Sequence, residues 1–295
     1  MLWVVFTLLG AAGQTARNSL QRELTPRLGA LGATLVRFLF GAPFALAFLG
    51  ALLLWGHATL PQTSWAFAGW TLLGALTQIA ATALMLLTME RRSFVVTVAY
   101  LKTEPLLVAL LGVTLLGDHL TPAMAAAILV AVAGVALISV KPGTLQGGGT
   151  VPVLLGLSAA ALFAASAIGY RGAILALHRA DTLLPATFSL AAGLGLQTVL
   201  LLFWLLAFQR RTLSALVRLW RPSLLAGFAG AAASEFWFLA FALATAASVR
   251  TLALVEVVFA QAVSKFVFKQ KTTMAEAFGI ALLLAGAVLI VRLTP

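Results

Sequence analysis

Residues 141–150, which read KPGTLQGGGT, lie at the middle of this 295-residue chain. Their proline and four glycines disfavour helix and are typical of a flexible linker. The sequence on both sides consists mainly of long apolar stretches, so this segment separates two halves of similar length. We therefore predict a first unit at residues 1–142, a linker at 143–150 and a second unit at 151–295.

The composition places both halves in a membrane. Hydrophobic residues make up 62% of the chain and charged residues only 9%, against about 25% charged residues in soluble globular proteins. Because one helical crossing needs about 20 apolar residues, we predict an all-α integral membrane protein with ten transmembrane helices. Their approximate bounds, set where charge, proline or glycine ends an apolar run, are 2–18, 28–55, 65–89, 93–116, 122–140, 151–177, 183–208, 222–247, 248–268 and 274–292.

The residue types exclude several kinds of chemistry. The chain has no cysteine and only three scattered histidines, which excludes disulfides and thiolate zinc sites and argues against a histidine-built metal site. We predict no metal and no cofactor. The net charge of +11 comes from short basic groups between apolar runs, which is typical of topology signals and lipid headgroup contacts and not of nucleic-acid binding.

The two halves resemble each other at a fixed offset of 152 residues. This offset aligns Glu104 with Glu256 and Gly134 with Gly286 without a gap. Carboxylates are rare and costly inside membrane spans, so a matched pair near mid-helix indicates an internal duplication. Because each half has five spans, an odd number, the second half would enter the membrane upside down. We therefore predict two inverted five-helix repeats, an architecture that supports alternating access.

Loop charge predicts the orientation of the chain. The loops after the odd-numbered spans carry twelve Lys and Arg, Arg17 among them, and the other loops carry four, namely Arg171, Arg179, Arg250 and Arg292. Because positive loops stay in the cytoplasm, both termini are predicted to lie outside. Spans 5 and 10 are rich in small and aliphatic residues and are predicted to be peripheral or dimer-forming, so we expect a monomer or a homodimer.

Span 4 contains the sequence VAYLKTEP at residues 98–105. On a continuous helix Tyr100 and Glu104 would share a face, and Pro105 would remove a backbone hydrogen bond beside the carboxylate. This pattern predicts a kinked, polar helix centre that binds solute. The alternative is that Glu104 pairs with Lys102 or Arg37 and holds helices together.

Other polar residues also lie inside predicted spans, where each must face protein or water. Glu235 and Trp237 lie deep in span 8, although Trp237 could instead fill a gap between helices. Arg37 could bind a substrate carboxylate or permanently neutralise a Glu. The predicted substrate-binding residues are Gln14, Arg37, Gln78, Tyr100, Glu104, Ser166, Tyr170, Glu235, Trp237 and Glu256.

The predicted interior is nearly balanced in charge. Three carboxylates, those of Glu104, Glu235 and Glu256, stand against the cations Arg37 and Lys102. This balance favours a zwitterionic or neutral solute over a phosphorylated one.

The ten spans, the two five-span halves and the Glu104-Pro105 pair in span 4 resemble the drug/metabolite transporter superfamily of the EamA type. The resemblance covers almost the whole chain and implies alternating access. In that family a proline often follows the equivalent residue of the second repeat, whereas Val257 follows Glu256 here, which leaves open whether span 9 is kinked. Within the superfamily the chain is most similar to YddG-type bacterial inner-membrane exporters of amino acids, aromatic ones and methionine included.

We therefore predict an inner-membrane transporter, not an enzyme, that exports amino acids around a midplane cavity. Its partners would be a small-molecule substrate and membrane lipid. A sugar- or phosphate-linked metabolite exchanger is an alternative, but it needs a cluster of basic residues at midplane, for which only Arg37 and Lys102 are available. An intramembrane lipid-handling enzyme is an alternative of another class, and it needs a nucleophile or metal constellation that the predicted spans lack.

Overall fold

The structure of the protein is a computed structural model that describes residues 1–56, 58–91, 94–139, 150–259 and 273–294. Within these ranges every regular element is a helix and no strand occurs. Eight stretches in them are long and apolar enough to cross a membrane. The prediction of an all-α, multi-pass membrane protein is therefore confirmed, whereas the predicted linker lies outside the described residues except for Thr150.

Most helices with both ends described follow the predicted apolar runs, whereas the short basic helix Arg210–Arg218 lies between predicted spans 7 and 8. A π-helical segment, Gly112–Leu116, follows the fifth of these helices. In chain order they are α1 (Leu2–Leu39), α2 (Ala42–Trp55), α3 (Trp65–Arg91), α4 (Phe94–Leu101), α5 (Glu104–Leu111), α6 (Pro122–Ser139), α7 (Thr150–Leu175), α8 (Leu183–Phe208), α9 (Arg210–Arg218), α10 (Trp220–Leu243), α11 (Ala246–Ala253) and α12 (Met274–Leu293).

Helix α1 joins the predicted spans 1 and 2. The sequence predicts that span 1 ends at residue 18, and this prediction is wrong, because the helix continues to a break at Gly29, where φ is 69°. Buried Gln21 explains the continuation, since its Nε2 donates to the backbone oxygen of Ala33 at 2.9 Å, beyond the break. Arg17, predicted to be a loop cation, is buried within this helix.

Two differences separate the eight apolar stretches from the ten predicted spans. The stretch Leu2–Trp55 contains both span 1 and span 2. Predicted span 9, at 248–268, is described only as far as residue 259. The number of ten spans therefore stays a prediction.

Three helix pairs make the most extensive contacts, and each pair joins one half of the chain to the other. Helix α1 packs on α10, α3 packs on α7, and α6 packs on α12. An offset of 152 residues relates α1 to α7, α3 to α10 and α6 to α12. Exchanging the halves therefore exchanges the first two pairs and maps the third pair onto itself.

The contact between α6 and α12 is reciprocal at its closest points. A methyl group placed on Gly134 would lie 2.5 Å from the backbone nitrogen of Leu283. The equivalent methyl group on Gly286 would lie 2.7 Å from the backbone nitrogen of Ala131. Gly134 and Ala131 are each 152 residues before Gly286 and Leu283, so both sides of the interface use the same contact. Only glycine allows the two backbones to approach this closely.

Span 4 and predicted span 9 are both interrupted at equivalent positions. Turns at residues 102–103 and 254–255 each precede a helix that resumes at Glu104 or Glu256. In both turns two successive backbone N–H groups donate to carbonyl oxygens three residues earlier, at 3.0–3.2 Å. Pro105 follows the first turn only, so the interruption of span 9 does not require a proline.

Replacing Gly134 by Ala should destabilise the protein, because the added methyl group has no space between α6 and α12. Overpacking of this kind costs about 1–3 kcal/mol, and we expect a lower melting temperature in detergent. Gly69→Ala in α3 is the matched control, since no atom lies within 4 Å of its added methyl group. Equal melting temperatures for the two variants would contradict the close approach of α6 and α12.

Candidate solute-binding site

A mostly buried, polar cavity lies between helices of the two halves. Its walls come from α1, α3, α7, α10 and α11. The lining residues are Gln14, Arg37, Gln78, Phe163, Ser166, Ala167, Tyr170, Ser234, Trp237, Phe238, Phe241 and Arg250. The structure thus brings together six of the predicted substrate-binding residues, namely Gln14, Arg37, Gln78, Ser166, Tyr170 and Trp237.

The cavity is small in this conformation. The space between its walls measures about 340 Å³ including its open side. After allowance for the radius of a water molecule, it has room for about one water. In this conformation the cavity is therefore too small for a solute as large as an amino acid.

Within the described part of the chain, Arg37 is the lining cation without a carboxylate partner. Its side chain is 2% exposed, and its Nη1 and Nη2 donate to the hydroxyl oxygens of Thr82 at 3.3 Å and Ser234 at 3.5 Å. Among the described residues no carboxylate lies within ion-pair distance of its guanidinium. The alternative in which Arg37 neutralises a Glu therefore does not hold for the described residues.

A pair of amides fixes one wall of the cavity. Gln197 on α8 donates through Nε2 to Oε1 of Gln78 at 2.9 Å and to the backbone oxygen of Ala75 at 3.3 Å. Gln78 also lines the cavity, and its amide is held by this contact. Gln197 is fully buried and does not line the cavity itself. Its hydrogen bond fixes the position of the Gln78 amide in the cavity wall.

Arg250 is a functional candidate that the sequence reasoning missed. The loop count places Arg250 on the surface, but the structure buries it one turn inside α11, with its guanidinium 4.3 Å from the ring centre of Trp237. Thr245 caps this helix by accepting from the backbone N–H of Ser248 at 3.2 Å. The capping pattern Thr-x-x-Ser was the available signal, because it starts the helix at Ala246 and carries Arg250 into the membrane.

Two ion pairs cross between the halves beside the cavity. Arg250 Nε lies 3.0 Å from Oε1 of Glu104, and Lys102 pairs with Glu256. Thr15 also donates to Glu256 at 3.5 Å. Each of the two aligned carboxylates thus takes its cation from the opposite half. The sequence suggested Lys102 or Arg37 as the partner of Glu104. In the structure its partner is Arg250.

Four predicted substrate-binding residues do not line the cavity. Glu104 and Glu256 are in the ion pairs, and Glu104 is linked to the cavity wall through Arg250. Tyr100 packs against Gly156 of α7, where an added methyl group would lie 2.5 Å from its ring. Glu235 points toward α8 and accepts a hydrogen bond from Thr187.

The interior is more basic than the sequence predicts. Buried Arg17 donates to Oδ1 of Asn18 at 2.7 Å, and it meets Arg37 at Gly230, where an added methyl group would lie 3.3 and 3.2 Å from their side chains. With Arg17 and Arg250 included, the described charges on and next to the cavity wall and in the two ion pairs are four cations and three carboxylates, whereas buried Glu276 and the Arg171–Asp118 pair do not line the cavity. Without Arg17 and Arg250, the loops after the odd-numbered spans carry eleven Lys and Arg and the other loops carry three. The excess of positive charge is still on the same side, and the orientation stays a prediction.

Replacing Glu104 by Gln should destabilise the fold, because Arg250 would lose its carboxylate inside the protein. Removing one partner of a buried pair costs about 3–5 kcal/mol, and the melting temperature in detergent measures the effect. Asp181→Asn is the matched control, since its pair with Arg179 is exposed and such pairs contribute less than about 1 kcal/mol. The double variant Glu104→Gln, Arg250→Gln should recover part of the loss. Equal shifts for Glu104→Gln and Asp181→Asn would refute the pairing.

Comparison with known proteins agrees with this architecture. A solved crystal structure superposes with a TM-score of 0.70 over 98% of this chain and 99% of that chain, at 18% sequence identity, and this likeness shows the fold alone. No curated protein matches the chain. Residues 1–140 match the family model of the EamA-like transporter family, whose members are transporters and not enzymes. The first part of the chain is therefore similar to the EamA-like transporter family.

Proposed function

We propose that the protein exports amino acids, aromatic ones and methionine included, across the inner membrane by alternating access. The observation that carries this proposal is the convergence of polar side chains from both halves on one buried cavity. Polar groups inside a membrane span are costly unless they face protein or water, and a transporter is the kind of membrane protein that needs them there.

The cavity suits a solute with one polar end and an apolar body. Arg37 offers hydrogen-bond donors to a carboxylate, and the amide of Gln14 offers both a donor and an acceptor. The rings of Trp237, Phe238 and Phe241 form an apolar wall. These contacts fit the side chain of an aromatic amino acid or of methionine.

Two inverted five-helix repeats, at residues 1–142 and 151–295, are part of the proposal. The exchanged helix pairs, the reciprocal glycine contacts of α6 and α12, and the matched turns at 102–103 and 254–255 support them. Ten spans follow if Leu2–Trp55 crosses twice and residues 248–268 cross once. Two related packings of such repeats would open the cavity to one side and then to the other.

A sugar- or phosphate-linked metabolite exchanger is the second candidate. The observation that favours it is the position of Arg17, Arg37 and Arg250 in the interior, which supplies the basic cluster that the sequence alone did not predict. Both candidates place the protein in the membrane as a monomer or homodimer with its termini outside.

Purified protein in proteoliposomes should transport labelled phenylalanine and methionine saturably. Gln14→Ala should raise KM about two- to tenfold, which corresponds to one lost hydrogen bond. Tyr100→Phe is the control and should leave KM unchanged, because Tyr100 lies outside the cavity. If a broad panel of amino acids shows no saturable uptake above that of empty liposomes, the amino-acid proposal is wrong.

A further inference from the structure

Five buried donor groups of the cavity-lining residues make no hydrogen bond among the described residues. They are Nε of Arg37, Oγ of Ser166, the hydroxyl of Tyr170, Nε1 of Trp237 and Nε of Arg250. Arg250 is already in an ion pair with Glu104. The other four residues are at most 3% exposed and come from α1, α7 and α10, so unpaired donors on three separate helices border one small space.

Ser166 differs from other unpaired hydroxyls by its position in the cavity wall, since the hydroxyls of Thr71, Ser189, Thr198 and Ser223 also lack a partner among the described residues but do not line the cavity. Other buried hydroxyls donate to the carbonyl four residues earlier, as Thr82 does to Gln78 at 2.8 Å. Ser166 makes no such bond, and its hydroxyl is left to the cavity. A buried polar group that stays unpaired costs free energy, which indicates a ligand that completes these bonds.

The donors determine which chemistry the ligand offers. The N–H groups of arginine and tryptophan donate and cannot accept. A carboxylate supplies acceptors only, with two oxygens and about four lone-pair positions, and it binds arginine with charge-assisted hydrogen bonds. The bonds from Arg37 to Thr82 and Ser234 are long, at 3.3 and 3.5 Å, so these nitrogens can also turn to a carboxylate.

The charges of the cavity wall indicate a single negative charge on the ligand. Of the two lining arginines, Arg250 is compensated by Glu104 at 3.0 Å, which leaves the charge of Arg37. No Asp or Glu is among the lining residues that the structure describes, so an ammonium group finds no counter-ion there. For a doubly charged phosphate, the described cavity wall offers one arginine, Arg37, whose charge is not already compensated, while Arg17 lies behind it and outside the lining.

We propose that the cavity recognises the carboxylate of a monoanionic organic solute through Arg37, Ser166 and Trp237, and that an ammonium group on the solute is not required. This inference rests on the proposed transport function and narrows its substrate class. The aromatic wall beside the three donors binds the apolar body of the solute, so an arylalkyl carboxylate is the simplest ligand.

Binding to detergent-solubilised protein tests the substrate class with four compounds of one scaffold. They are 3-phenylpropanoate, L-phenylalanine, 2-phenylethylamine and phenyl phosphate. We expect the first two to raise the melting temperature with Kd values within about tenfold of each other, and the amine to have no effect. Stabilisation by the amine or by phenyl phosphate without stabilisation by 3-phenylpropanoate would overturn the proposal, and so would the absence of stabilisation by any of the four.

Substitutions test the assigned donors. Arg37→Gln should weaken 3-phenylpropanoate binding about 10- to 100-fold, as expected for a lost hydrogen bond to a charged group, and Arg37→Lys should recover part of it. Trp237→Phe keeps the ring and removes the N–H, and it should weaken binding about two- to tenfold. Arg221→Gln is the control, because it removes the same charge from an exposed position. Unchanged Kd in both Arg37→Gln and Trp237→Phe would refute the site.

Arg37→Gln should also fold, because it removes a buried charge that has no carboxylate partner in the described ranges. If it does not fold, Trp237→Phe and Ser166→Ala carry the test, since each deletes one donor and leaves the charges in place. Flux in proteoliposomes separates the two proposals. Carboxylate binding without flux of any compound would refute transport alone, whereas phenylalanine flux that Trp237→Phe and Arg37→Gln leave unchanged would refute the carboxylate site alone.

Discussion

The packing of the two halves depends on the cost of charge inside a membrane. A single charged side chain at the bilayer centre costs about 2.5–3.5 kcal/mol on insertion scales, so Glu104 and Glu256 each need a cation. Both find it in the opposite half, in Arg250 and Lys102. Each half thus supplies the cation for the carboxylate of the other, and the ion pairs align the interrupted helices of the two halves with each other. Because Arg250 also lies over the ring of Trp237, the same alignment sets one wall of the cavity.

The membrane class and most helix positions could be predicted because apolar length is a local property of the sequence. The equivalence of Glu104 and Glu256 was also visible, since carboxylates in spans are scarce, and the matched turns before them agree with it. The end of span 1 was not predictable in this way. Gln21 reads as a loop residue until its acceptor, the carbonyl of Ala33, is known to lie beyond the break at Gly29. Contacts across a helix break depend on three-dimensional packing, which the local sequence does not specify.

Helix rotation explains which of the predicted site residues meet. Ser234 and Trp237 are three residues apart and share a helical face, and both line the cavity, whereas Glu235 is rotated by about 100° from Ser234 and faces α8. Tyr100 and Glu104 were expected to share a face, but the turn at residues 102–103 lies between them and ends that relation. The sequence identified many polar residues within spans but assigned Arg17 and Arg250 to loops, and the face that each residue presents depends on where a helix is interrupted.

The charge of Arg37, which has no carboxylate partner among the described residues, relates the structure of the cavity to the proposed transport. A buried cation without a counter-ion is a cost to the empty protein, while the neighbouring Arg250 already has Glu104. A solute carboxylate would remove that cost only while it is bound, so it stabilises whichever packing encloses it. A ligand shifts a conformational equilibrium by its difference in affinity for the two states. Because the present cavity has room for about one water, our proposal requires a wider enclosing state, in which the charge of Arg37 would supply the difference in affinity.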